Sequence, residues 1–227
     1  MFRWRVMMKT TEILFEAVKE IWDGYSKHPF ILGIQNGTLD KEKFKHYLIQ
    51  DYLYLIDYAR TFAIGAAKAK NPETMQLFSF YVNYLTEDGF SISDGYLGEL
   101  NVTEDDVDRK NTALDNLSYT SYMLRVAYED GEAEILAAIM SCTCSYERIA
   151  KKIIENNPES VNHPFYGRWI QGYASDVYAE RNVVLVDLLN RLTAHYTEAQ
   201  LEHLKEIFVA CSRYEMAFWN IGWNLSK

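Results

Sequence analysis

Residues 135–153 read ILAAIMSCTCSYERIAKKI, and the spacing within this stretch decides the fold class. Stepping by three and four gives Ile135, Ala138 or Ile139, Cys142, Tyr146, Ile149 and Ile153, the repeat that places side chains on one face of an α-helix. Cys142 therefore points inward. Cys144, two positions on, projects to nearly the opposite side, toward Arg148 and Lys151. The two thiols form no CxxC pair and do not share an environment. An isolated inward cysteine is most often a small apolar filler. Here, however, two other helices carry a carboxylate at an equivalent inward position.

The first lies toward the amino terminus. A helix expected over about 41–70 has the stripe Phe44, Tyr47, Asp51, Tyr54 and Tyr58, so an aspartate sits among aromatics on an inward face. The second lies in the last helix, which Thr197 caps and whose inner stripe is Leu201, Leu204, Phe208, Cys211, Glu215, Phe218 and Gly222. Ahead of both, Thr10 to Tyr25 reads as a first helix and a connection runs from His28 to Thr38. Asn71-Pro72 opens a third helix reaching about Leu100. A fourth spans about 111–129 with Tyr119 and Tyr122, and a sixth follows His163-Pro164-Phe165 through Trp169 and Tyr173 to Leu192. With 11 Gly and 4 Pro the periodic segments run long, and no credible strand appears. The expectation is an all-α bundle of about seven main helices, neighbours mostly antiparallel. It forms one domain over 10–227, with residues 1–9 as an extension and Met7 or Met8 as alternative starts. His-Pro-Phe occurs at 28–30 and again at 163–165, which hints at a duplicated plan or simply at a recurring helix start.

Composition narrows the function classes. A net charge of -9 without a basic cluster argues against a nucleic-acid backbone or an anionic membrane surface as the main partner. Three cysteines make no disulfide framework and suit a reducing compartment, so a cytoplasmic location is expected. No run approaches the roughly 18 apolar residues of a membrane span. Seventeen tyrosines are an excess that points to a pocket or an extensive interface.

Burying an ionised carboxylate without partners is expensive, so Asp51 and Glu215 require an explanation. One is a structural hydrogen-bond network with neighbouring tyrosines. The other is a cavity shared by Asp51, Glu215 and the Cys142 thiol, suited to a cationic or basic heteroaromatic ligand that carboxylates bind and tyrosines stack against. A metal site is the competing chemistry in a helical bundle. Of the five histidines, His28 and His163 precede prolines, His46 lies on a polar side beside Glu42 and Lys45, and His195 and His203 sit near the start of the last helix. Only His28 is a faint candidate for an axial haem ligand. No serine-triad motif, phosphate loop or dinucleotide fingerprint is present.

These residues together resemble the TenA family, the thiaminase II or aminopyrimidine aminohydrolase enzymes of thiamine salvage. The resemblance covers nearly the whole chain from about Thr10. It is carried by HPFILGIQNGTLDKEKFKHYLIQDYLYL, SYTSYMLR, the Cys142-x-x-x-Tyr146 pair, HPFYGRWIQGYAS and YEMAFW, in that order. It implies a heme-oxygenase-like helical bundle, usually a homotetramer, working without haem, metal or organic cofactor on a small aminopyrimidine or thiamine. By the same resemblance Cys142 is the nucleophile that adds to the pyrimidine ring, Asp51 reads the amino-pyrimidine edge, and Glu215 is the acid and base. Tyr54, Tyr119, Tyr146 and Tyr173 are pocket tyrosines, and Phe218 is an aromatic wall. The chain departs from the pattern at Ser141, where many members have proline, and at Thr143-Cys144-Ser145, where aromatic residues are common. Two alternatives stand beside this enzyme: a pyrimidine-binding or regulatory protein that hydrolyses nothing, and a heme-oxygenase-like redox enzyme with bound metal.

Overall fold

A computed structural model describes residues 8–87 and 91–227. Among the described residues there are ten α-helices and no strand: α1 Thr10–Tyr25, α2 Pro29–Gln35, α3 Lys41–Lys68, α4 Pro72–Glu87, α5 Ser91–Glu99, α6 Leu114–Glu129, α7 Glu132–Asn156, α8 Gly167–Ala174, α9 Asp176–Leu192 and α10 Glu198–Asn224. Short 3-10 turns at Arg109–Asn111 and Pro158–Asn162 lead into α6 and α8.

The helix starts follow local chemistry. Asp40 accepts the Glu42 N–H at 2.7 Å to open α3, and Ser175 accepts the Tyr178 N–H at 3.2 Å to open α9. Thr197 and Gln200 cap α10 reciprocally, satisfying two backbone donors that no helical carbonyl reaches. The two His-Pro-Phe sites use one device. His28 Nδ1 accepts the Phe30 N–H at 3.2 Å, and His163 Nδ1 accepts those of Phe165 and Tyr166 at 3.1 and 3.0 Å. Each turn then sets its phenylalanine against the inner face of α3: Phe30 meets Tyr47, and Phe165 meets Phe44. The turns also touch each other. Gly37 has φ +68, and a Cβ there would lie 2.4 Å from the His163 ring, so conformation and space both demand glycine.

Helix α7 runs through the middle, packed by α3, α6, α8, α9 and α10. Ile135 through Ser141 are buried on every side, as expected of a helix with no solvent face. Each large side chain among them contributes roughly 1.5–3 kcal/mol by leaving water. Only past Ser145 do exposed positions appear, at Arg148, Lys151 and Glu155, opposite the buried Tyr146, Ile149, Ala150 and Ile153. Helix α10 comes close to α2 and α3 at Gly222, where a Cβ would lie 2.8 Å from Phe30 and 3.0 Å from Tyr47.

The helix count departs from the seven expected. The connection after His28 contains α2, whose seven residues are too short to show a period. The sixth expected helix is two, because Ser175 is extended and caps a new helix rather than continuing the old one. The expected third helix corresponds to α4 and α5, with residues 88–90 outside the described ones. Most of the proposed amino-terminal extension, residues 1–7, also lies outside them.

Candidate active site

Four helices and a short fifth converge on a narrow cavity of about 70 Å³. Helix α3 lines it with Asp51, Leu55, Tyr58 and Phe62, spaced four, three and four. Helix α4 offers Tyr81, Tyr84 and Leu85, and α9 offers Tyr178, Arg181 and Leu185. Cys142, Thr143 and Tyr146 come from α7, and Tyr173 from α8. The stripes are the inward faces that helical spacing dictates. Cys142 keeps an accessible edge toward the cavity although protein surrounds it.

Behind the thiol stands Glu215, 1% exposed. Burial pushes its carboxyl up to about 8, against the opposing pull of hydrogen bonds from Tyr119 and Cys142, and the nearby charge of Asp51 adds to the rise. At neutral pH the group therefore holds its proton. The Cys142 thiol is pushed well above its ordinary range by burial and then by the Glu215 charge, while a hydrogen bond with Tyr54 lowers it. Thiol and carboxylic acid thus sit in contact, both uncharged at rest. Tyr54, buried beside them, is likewise raised by burial and then by Cys142.

Aromatic rings complete the surroundings. Tyr146 packs on Tyr173 with centroids 4.8 Å apart, and Tyr54 on Tyr119 and Phe218 at 5.2 and 5.6 Å. Hydroxyl contacts fix several of them: Tyr47 donates to the Tyr146 oxygen at 3.3 Å, and Tyr58 to the Ile139 carbonyl at 3.0 Å. Ser141, where the family resemblance leads one to expect proline, is buried with its Oγ donating to the Ala138 carbonyl at 3.0 Å and lying 3.2 Å from the Tyr119 hydroxyl.

The structure brings the eight expected site residues into two tiers. Asp51, Cys142, Tyr146 and Tyr173 line the cavity. Glu215 and Tyr54 contact Cys142 from behind; Tyr119 reaches Glu215, and Phe218 packs on Tyr54. Sequence reasoning missed Tyr178 and Arg181 on α9. It also missed Asn182, whose Oδ1 accepts the Thr143 hydroxyl at 2.6 Å, while the Tyr178 hydroxyl accepts from the same Thr143 group at 3.1 Å. Another buried carboxylate, Asp57, was not singled out either. It serves no cavity: Arg109 pairs with it at 2.9 Å and Arg60 also bonds it.

On the other side of α7 lies a larger groove of about 860 Å³, walled by Cys144, Glu147, Arg148 and Lys151 with residues of α1 and α9. Cys144 does face Arg148 and Lys151 as expected, yet it is itself buried. His46 is half-buried rather than on a solvated face, with Nε2 2.8 Å from the Ser226 carbonyl, and His28 Nε2 lies 3.2 Å from Asn220. No histidine lines the narrow cavity. Among the described residues no group of three or more His, Cys, Asp or Glu is arranged to hold a metal ion, and no helix is long and apolar enough to cross a membrane.

Comparison with known proteins supplies an independent view. Residues 15–225 match the model of the TENA/THI-4/PQQC family. The aminopyrimidine aminohydrolase of Helicobacter pylori is 37% identical over 216 residues, covering 95% of this chain and 99% of that protein. Among solved structures, a TenA homologue from P. horikoshii OT3 superposes with TM-score 0.84 at 29% identity, covering 96% of this chain and 99% of its own. A Shewanella denitrificans domain with a heme oxygenase-like fold superposes with TM-score 0.76 over 96% of this chain and 93% of that one. At 11% identity it speaks for the fold alone.

Proposed function

This chain belongs to the TENA/THI-4/PQQC family, and from that premise we propose that it is a thiamine-salvage hydrolase. It cleaves 4-amino-5-aminomethyl-2-methylpyrimidine, and thiamine, to 4-amino-5-hydroxymethyl-2-methylpyrimidine. The observation that carries this reading is the contact of the Cys142 thiol with a Glu215 acid whose pKa is pushed up to about 8. A protonated acid beside a nucleophile is what expulsion of an amine requires.

In this mechanism Asp51 binds the amino-pyrimidine edge and the ring lies against Tyr146 and Tyr173. The Cys142 sulfur bonds to the ring carbon adjoining the substituted one, and its proton passes by way of Asp51 to a ring nitrogen. Dearomatisation frees electrons to break the exocyclic C–N bond, and Glu215 gives its proton to the departing amine. Water then adds to the exocyclic methylene and returns a proton to Glu215. Finally the C–S bond breaks, the ring proton goes back to sulfur, and aromaticity is restored. The net change is amine plus water to alcohol plus ammonia. A thiazolium leaves as neutral thiazole and needs no proton, so Glu215 as acid matters more for the aminopyrimidine.

We place the protein in the cytoplasm, which suits its three free thiols, and as a homotetramer. Leu114, Leu117 and Tyr128, exposed on one side of α6, supply apolar area for subunit contacts. Incubating the protein with aminopyrimidine and with thiamine, and quantifying hydroxymethylpyrimidine, tests the activity. Release from either substrate supports it, and inertness toward both overturns it.

A further inference from the structure

The two ends of the narrow cavity differ in charge. Its inner end holds Asp51 and Cys142, whereas its outer wall carries Arg181 between Tyr84 of α4 and Tyr178 and Leu185 of α9. Tyr178 is tied to Thr143, the neighbour of Cys142, by a 3.1 Å hydrogen bond. Arg181 follows three residues later, about 5 Å further along the helix axis, so it stands roughly one turn along α9 from the level of the reacting thiol. Tyr178, Arg181 and Tyr84 are each half-buried, so solvent reaches the cavity at this end, which serves as a mouth.

Arg181 is held in place without being neutralised. Its guanidinium lies 3.9 Å over the Tyr84 ring, and its backbone carbonyl accepts the Tyr81 hydroxyl at 2.9 Å. Arg191 on the same helix and Arg148 on α7 are each paired with a carboxylate. Arg181, among the described residues, has no carboxylate within 4.0 Å. A guanidinium stacked by its face keeps the N–H donors of its edge free, in the fork that matches an oxyanion. The chain as a whole is acidic, so a cation without a carboxylate partner among the described residues, at the mouth of a cavity that also holds Asp51, is a selective feature rather than part of a general basic surface.

We propose that Arg181 is a specificity determinant that recognises an oxyanion, phosphate or carboxylate, on the arm of the substrate beyond the scissile C–N bond. This rests on the aminopyrimidine reading above. With the ring between Tyr146 and Tyr173 and its edge on Asp51, the mouth is the direction open to a longer arm. A purely cationic arm meets repulsion there, and an arm ending in an anion meets the fork.

Calorimetric binding to the full chain carrying Cys142→Ser, which is expected to leave the ligands intact, tests this with thiamine, thiamine monophosphate and the analogue whose hydroxyethyl arm is oxidised to carboxymethyl. At least one anionic ligand is expected to bind about fivefold to tenfold more tightly than thiamine, and the two anionic arms identify which oxyanion is preferred. Adding Arg181→Met, or Arg181→Gln as a second variant, brings the ratio to about one, and Arg181→Lys restores part of it. Equal affinity for all three ligands with Arg181 present, a preference that survives both neutral variants, or no binding of any ligand overturns the proposal. Hydrolysis is read separately: a protein that cleaves neither aminopyrimidine nor thiamine but shows the Arg181-dependent preference refutes the hydrolase reading alone.

Discussion

Cys142 and Cys144 stand two residues apart on α7, and burial pushes both thiols upward. They differ in what surrounds them. Cys142 has Glu215, Asp51 and Tyr54 around it at a narrow aromatic cavity. Cys144 has Glu147 nearby and a groove some ten times larger, most of whose charges are matched: Lys151 with Glu147, Lys152 with Glu155, and Arg148 with Asp23. Neither burial of a thiol nor volume of a concavity identifies the chemistry. A nucleophile needs proton-transfer partners and a surface shaped for a ring, and only one side of the helix supplies them.

The broadest way to break this comparison is to remove each thiol in turn. Cys142→Ser is expected to lower kcat by at least about 10³-fold, with the melting temperature little changed because the side chains are close in volume. Cys144→Ser is expected to keep kcat within about twofold. Parallel assays of hydroxymethylpyrimidine release and thermal melts check both; equal losses would erase the distinction.

Glu215→Gln sharpens it. Loss of the acid should cost about 10²- to 10³-fold with the aminopyrimidine and less with thiamine, seen as a changed ratio of the two kcat values. In the wild type, cleavage of the aminopyrimidine should decline as pH rises past about 8, where Glu215 loses its proton. The same shift affects stability. An unfolded glutamate ionises near pH 4.5, whereas the folded one keeps its proton to about 8. The stabilisation from Glu215 is therefore complete below 4.5 and is lost as pH rises to 8, on the order of 5 kcal/mol. Urea unfolding of wild type and Glu215→Gln at pH 5 and pH 8 should show a steeper fall for the wild type.

A smaller effect belongs to the residue between the two cysteines. Thr143→Val removes the partner of Tyr178 and Asn182 and should cost about 1–2 kcal/mol in urea unfolding. Tyr178 packs edge-on against Tyr173 at 5.2 Å, so KM is expected to rise more than kcat falls.

Much of the fold was legible because long helices display their period. The stripe from Ile135 to Ile153, the stripe bearing Asp51 and the stripe bearing Glu215 all face inward as spacing requires. Helix α2 was hidden because two turns show no periodicity. The break at Ser175 was hidden because the apolar pattern continues across it while the cap depends on one local hydrogen bond. At the site, Asp51 and Glu215 were visible as acids where an apolar residue belongs. Asp57 shows the limit of that signal, since its burial is satisfied by Arg60 and by Arg109, 52 residues away in sequence. Tyr178, Arg181 and Asn182 carried no signal of their own. The place of Tyr178 and Arg181 at the cavity, and of Asn182 behind Thr143, depends on how α9 docks against α7, and Arg181 reads in sequence as one more charge on an amphipathic helix.

The most direct test of the account is a crystal structure of the Cys142→Ser protein soaked with hydroxymethylpyrimidine. The account predicts the ring between Tyr146 and Tyr173, its amino edge on Asp51 and its methylene carbon turned toward position 142 and Glu215. A ring seated instead in the large groove beside Cys144, or one whose amino edge faces away from Asp51, would contradict it.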